Sequence, residues 1–236
     1  MKLIVAGASG YVAQELLRQS LKLPEITSVI ALSRTPVSTP SDVGGEFNAS
    51  KLRSVVLKDY EDYPEDVRRE FQGADACIWT VAITPTRSTA FDFKDVVRVC
   101  QTSTLAGLRA MYESGVAKPF RFLYVSGFGA ERDRSRTPSF KPEYSWMRGE
   151  TENQVLVFAA EHPGEVEASA AKPGLITTPG RPITSIFARA ASAVGFVPCI
   201  DRAAMVTAML DQVTNGFESD TLMNDDLVRL AKGLTD

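Results

Sequence analysis

The residues with the plainest chemistry stand near the amino terminus, in Gly7-Ala8-Ser9-Gly10-Tyr11-Val12-Ala13. The spacing is GxxGxxA, a variant of the dinucleotide-binding fingerprint, between an apolar run and a helical pattern. Gly7 permits the tight turn, Gly10 lets a pyrophosphate approach the backbone, and Ala13 lets the helix pack closely. The helix start adds free N–H groups and a partial positive charge that suit a phosphate. The next strand ends Ala31-Leu32-Ser33-Arg34, without the acid that holds a ribose 2′-hydroxyl in NAD binders. Arg34 can pair with a 2′-phosphate through its planar fork, and Ser33 can donate a hydrogen bond, so NADP is favoured. At the end of the third strand, Asp59 either accepts from the adenine amino group or is a turn residue.

Other reactive residue types are sparse. Cys77, Cys100 and Cys199 lie far apart and His162 is the single histidine, so no zinc site is spaced for. An odd, scattered cysteine count suits a reducing compartment, with each thiol acting as a small hydrophobe. The loop 131–136 mixes Arg132, Arg134 and Arg136 with Glu131 and Asp133, either as a solvated loop or as a cover for an anionic substrate. His162, before Pro163, reads as exposed, Trp79 as core, and Trp146 as core or interface.

These residues need elements to place them, and the chain alternates strand with helix from its start. Strands are read at Lys2–Ala6, 27–32, 52–57, 74–83, Phe120–Val125 and 166–171. Helices are read at 10–23, Glu65–Phe71, 91–117, 143–161, 201–214 and 224–234. Alternation of this kind predicts parallel pairing with right-handed crossovers, an open α/β sheet doubly wound with helices on both faces. A ligand belongs beyond the carboxyl ends of its strands, at the switch point. The 236 residues fit a single domain over 1–236, large enough to bury a core without staples. A net charge of −3 argues against a nucleic-acid partner, and no apolar run is long enough to span a membrane. The apolar run at the amino terminus is too short for a secretory signal, so the expected location is cytoplasmic.

The order of these pieces resembles a known group. GxxGxxA at 7–13, Ser33-Arg34, Asp59, Asp75–Thr80, Phe122–Ser126, Tyr144–Glu152 and Lys172-Pro173-Gly174 are similar to atypical short-chain dehydrogenase/reductases of the NmrA-like and Tat-interacting-protein-like branch. The resemblance implies a Rossmann-like fold and a Ser–Tyr–Lys catalytic set. Ser126 matches the serine and Tyr144 the tyrosine, while Arg148 stands where the family has lysine. A ketone reductase needs the tyrosine as an acid near neutral pH, about three pKa units below its usual value of about 10. A cation four residues along the same helix face favours that shift, and Arg148 has the right sign with a wider, planar shape. From spacing alone, Tyr144 and Arg148 also fit an ordinary helix start, with Arg148 paired to Glu152 at the surface.

In the family the cofactor also runs past the end of the fourth strand, here Thr80, Val81 and Ala82. The same resemblance extends the cofactor contacts to Ser9, Tyr11 and Val12 in the loop, to Arg148 and to Pro173. It implies that residues 174–236 contribute a substrate lid, with Pro182, Ile183, Ile186, Phe187 and Phe196 as its apolar set. The function expected is an NADP-dependent oxidoreductase reducing a small, fairly apolar carbonyl or enone, with Tyr144 as acid and Ser126 orienting the substrate. Two alternatives stay open: a non-catalytic NADP-binding redox regulator, and a non-redox isomerase, dehydratase or epimerase. The partner expected is a small-molecule substrate, in a monomer or a homodimer.

Overall fold

In the computed structural model, residues 1–40, 48–178 and 197–234 are described. The central sheet uses β1 (Lys2–Ala6), β2 (Ser28–Ser33), β3 (Leu52–Val56), β4 (Ala76–Trp79), β5 (Phe120–Val125), β6 (Val166–Lys172) and a short last strand at Thr221–Met223. Its order is β3-β2-β1-β4-β5-β6 and then that last strand, with every pair parallel. Chain order reverses between β1 and β4, which is the switch point.

Period-two alternation sends each strand's residues to opposite faces, and both faces are covered. Leu3, Val5, Val29, Ala31, Ile78 and Leu123 enter one core. Ile4, Ala6, Ile30, Leu32, Trp79 and Phe122 enter the other. The first core is closed by α1 (Tyr11–Ser20), whose Ala13, Leu16 and Leu17 fall on one helical face. The second is closed by α2 (Glu65–Phe71), α4 (Ser103–Glu113) and α5 (Pro142–Glu161), while α3 (Phe93–Val97), leading into α4, packs Val96 with Cys100 and Met147 in a smaller cluster. Each fully buried Leu, Ile or Phe contributes about 1.5–3 kcal/mol, so the two cores outweigh any surface term.

The helix expected over 91–117 is two helices joined by a π-turn at Arg98–Thr102. The wider turn brings Cys100, fully buried, against the chain leaving β4. The fourth strand, expected over 74–83, pairs only through Trp79, and residues 80–83 leave the ladder to line the site. After β6, β7 (Leu175–Thr177) pairs in parallel with β8 (Cys199–Asp201). Then α6 (Arg202–Asn215) packs on α1 and the sheet, β9 (Thr221–Met223) adds the seventh strand, and α7 (Asn224–Gly233) completes the layer. Asp201 caps α6, accepting from the Ala203 and Ala204 amides. Pro182, Ile183, Ile186, Phe187 and Phe196 lie outside the described residues. Among the described residues no helix is long and apolar enough to cross a membrane.

Candidate functional site

The glycine loop crosses the switch point. Gly7 sits at φ +81°, and a Cβ there would lie 2.7 Å from Thr80 Oγ1, so the turn and the close approach both exclude a side chain. Thr80 closes over β1, its hydroxyl donating to Ala6 O at 2.7 Å. α1 then opens on Gly10 with no side-chain cap and no acid in its first turn. Its first amides have no intrahelical acceptor, so the donor set suits an anion. Tyr11 is held at this opening: its hydroxyl bonds Thr178 Oγ1, and the Arg202 guanidinium lies 4.6 Å from its ring centroid.

On the β2 side, a cavity of about 450 Å³ opens between Ser9 and Gln14 and the chain at 36–40. Arg34 is exposed at the strand end beside it. Under the loop, Tyr60 donates to Leu32 O at 3.2 Å. Burial pushes its pKa up to about 12, against the opposing pull of a Gly7 backbone bond and the Arg34 charge. Ser33 differs from expectation. It is buried and its hydroxyl donates to Thr35 O, so its proton is not offered to a phosphate. Asp59 stands in the turn after β3. It accepts from the Glu61 amide at 3.0 Å and from Arg98 Nη2 at 2.7 Å.

The second half of the site lies at the carboxyl ends of β4 and β5. Tyr144, Arg148 and Glu152 recur every four residues along α5, so one helix face carries all three. Tyr144 donates to Ile83 O at 2.8 Å, just beyond Val81 and Ala82. Arg148 is 4% exposed; its Nη2 donates to Val125 O at 2.7 Å and its guanidinium lies 4.8 Å from the Tyr124 ring centroid. Ser126 follows Val125 directly, so Arg148 ties the serine's strand end to the tyrosine's helix. Pro173, buried beyond β6, accepts from the Phe128 amide at 2.8 Å.

Three sequence expectations change here. The Tyr144 phenol is not pulled toward neutrality: burial pushes its pKa up, and the Arg148 charge offsets only part of that. Arg148 does not pair with Glu152 at the surface. Both are buried, and Glu152 instead accepts from Ser126, Arg132 and Lys172. His162 is half-buried, stacked on Phe158 with ring centroids 4.3 Å apart. Trp79 is core, as read, and Trp146 lines an outer groove with Phe93 and Met147.

Glu152, Lys172 and Arg132 each stand in the sequence reading, but not as one network. The signal for Glu152 was its place eight residues after Tyr144, on the same face.

The NAD(P)H-binding family model matches residues 7–162. The chain belongs to the NAD(P)H-binding family. Its fold is a Rossmann-like parallel sheet covered by helices on both faces. Solved structures share that fold over the whole chain. One is MoeE5 in complex with UDP-glucuronic acid and NAD, 18% identical, TM-score 0.68, with 100% of this chain and 82% of that chain covered. Another is the dTDP-glucose 4,6-dehydratase DesIV from Streptomyces venezuelae with NAD and TYD bound, 16% identical, TM-score 0.68, covering 100% and 81%. A third is a UDP-glucose 4-epimerase from Thermotoga maritima with UDP-glucose, 15% identical, TM-score 0.67, covering 100% and 82%. No curated protein matches the chain.

The residues present fit the nicotinamide cofactor of this NAD(P)H-binding family. The uncapped start of α1 offers backbone donors, and Arg148 Nη1 is a buried donor with no hydrogen-bond partner among the described residues.

Proposed function

We propose that the protein is an NADP-dependent oxidoreductase acting on a small, fairly apolar carbonyl or enone. The observation that supports it is the buried Arg148 guanidinium, which links the Ser126 strand end to the Tyr144 phenol. A cation beside a phenol favours loss of its proton, which is the lysine's part in the family set. Tyr144 then holds the proton given to the substrate oxygen, and Ser126 orients that oxygen. Gly7 and Gly10, with the α1 amides, would hold the pyrophosphate, Arg34 the 2′-phosphate, and Arg148 Nη1 a ribose hydroxyl. The nicotinamide, when bound, supplies hydride transfer.

Two measurements test this. Calorimetry should show tighter binding of NADPH than NADH, and Arg34→Ala should weaken NADPH by roughly 10- to 100-fold with little change for NADH. Carbonyl-dependent NADPH oxidation should fall roughly 100- to 10,000-fold in Tyr144→Phe while NADPH affinity holds. Full turnover in that variant removes Tyr144 from the mechanism.

One observation favours a second reading, a non-catalytic NADP-binding regulator. The Ser126 and Tyr144 hydroxyl protons both rest on protein acceptors. Tight NADPH binding with no oxidation by any carbonyl in a broad panel selects that reading.

A further inference from the structure

The network behind Ser126 carries an inference about what the site recognises. Glu152 is completely buried. Ser126 Oγ donates to its Oε1 at 2.5 Å. Arg132 Nε and Lys172 Nζ donate to its Oε2 at 2.7 and 3.1 Å. Lys172 also donates to Ala130 O at 2.8 Å. One carboxylate on α5 thus gathers the end of β5, the following loop and the end of β6. Two cations face one anion, and both carboxylate oxygens accept hydrogen bonds, so the buried charge is compensated.

An ionised carboxylate only accepts, and a serine hydroxyl has a single proton. The Ser126 proton is therefore committed to Glu152, and lone pairs are what the serine has left. We propose that Glu152 is a positioning residue that fixes Ser126 as a hydrogen-bond acceptor, so that of the carbonyl–alcohol couple proposed above the alcohol is the form held more tightly there. This rests on the placement of Ser126 in the substrate site given above. Tyr144 points the same way, because its own proton is committed to Ile83 O. A ligand carbonyl meets two oxygens whose protons lie elsewhere, whereas an alcohol can donate to either. The alcohol is the form of the substrate that this arrangement holds best, with oxidised cofactor beside it.

The test compares matched probes on the whole protein saturated with NADP: cyclohexanol with cyclohexanone, and 1-phenylethanol with acetophenone, by competition calorimetry. The wild type should bind each alcohol roughly tenfold more tightly than its ketone, one hydrogen bond's worth. Glu152→Gln offers an amide N–H to Ser126 Oγ and releases the serine proton toward the ligand, so the ratio should fall to one or invert. Ser126→Ala should lose the preference while keeping NADP affinity. An unchanged alcohol-to-ketone ratio in Glu152→Gln overturns the proposal.

A second measurement needs no ligand and no variant. Neutron diffraction should place the Ser126 deuteron on the line to Glu152. A deuteron on Glu152 itself, or a Ser126 deuteron turned away from it, overturns the proposal. If no probe pair binds the wild type, Ser126 is not in a substrate site and the ligand claim falls with that reading, while the neutron map still decides the direction of the hydroxyl.

Discussion

Arg148 is a full positive charge taken out of water, and no carboxylate among the described residues bonds to it. It donates to the Val125 carbonyl and lies over the Tyr124 ring beside the Tyr144 phenol, and its Nη1 has no hydrogen-bond partner among the described residues. Burying a charge so weakly compensated is costly, and a flexible apolar side chain would fill the space at less expense. Stability does not account for this residue, whereas placing a fixed cation beside Tyr144 does. Arg148→Met should therefore leave unfolding free energy unchanged or raise it by about 1–4 kcal/mol. Substrate turnover should be lost in the same protein. Urea unfolding and an NADPH assay on one preparation check both, and a loss of more than about 3 kcal/mol would make the guanidinium structural. The sequence made the pair of Tyr144 and Arg148 legible, because a four-residue step fixes a shared helix face. It could not show what lies behind that face. Desolvation decides the direction of the Tyr144 shift, and it comes from Ala82 and Ile83 after β4, from α3 and from Cys100 in the π-turn, all distant in sequence.

At the scale of elements, the site depends on how closely the loop after β5 lies on α5. Glu131 N donates to Ser145 O at 3.1 Å, and Arg132 reaches Glu152. The contact passes over Gly149, where a Cβ would stand 1.9 Å from Glu131 O, a backbone atom that cannot swing aside. Gly149→Ala must push the loop off the helix. Overpacking of this kind costs about 1–3 kcal/mol, and here it also pulls Arg132 from Glu152. The expected result is a lower urea midpoint together with faster proteolysis between residues 131 and 136, while NADPH affinity stays near wild type. A variant that resists protease like the wild type shows that the loop is held elsewhere. Helix limits at Glu65–Phe71 and strand limits at Phe120–Val125 were legible from apolar spacing and flanking breakers. The π-turn at Arg98–Thr102 was not, because the apolar pattern continues through it and only the fit of Cys100 against Ile83 distinguishes it. β9 escaped for a related reason: three residues carry no period, and pairing with β6 alone makes them a strand.

For the whole molecule, the alternation of elements was enough to foresee a parallel sheet covered on both faces. The sheet's burial has a consequence for stability against pH that no single motif displays. Tyr60, Tyr63, Tyr124 and Tyr144 sit in or beside the second core, and burial raises the pKa of each. In the unfolded chain a phenol titrates near 10. Below that pH both states keep these protons, so their contribution is complete and constant. Above it the unfolded chain releases them while the folded protein holds them, so stability falls as pH rises toward the folded values. Each deeply buried tyrosine adds a slope of about 1.4 kcal/mol per pH unit in that window. Urea midpoints measured from pH 8 to 11 should be level to about 9.5 and then drop steeply. Tyr63 offers a clean subtraction, because its hydroxyl is buried without a hydrogen-bond partner among the described residues. Tyr63→Phe should match or exceed wild-type stability at pH 8, since no hydrogen bond is lost. It should also lose stability less steeply above pH 10, by one tyrosine's share. Equal slopes in the two proteins would mean that Tyr63 ionises within the fold, and that the second core admits water at high pH before the sheet comes apart.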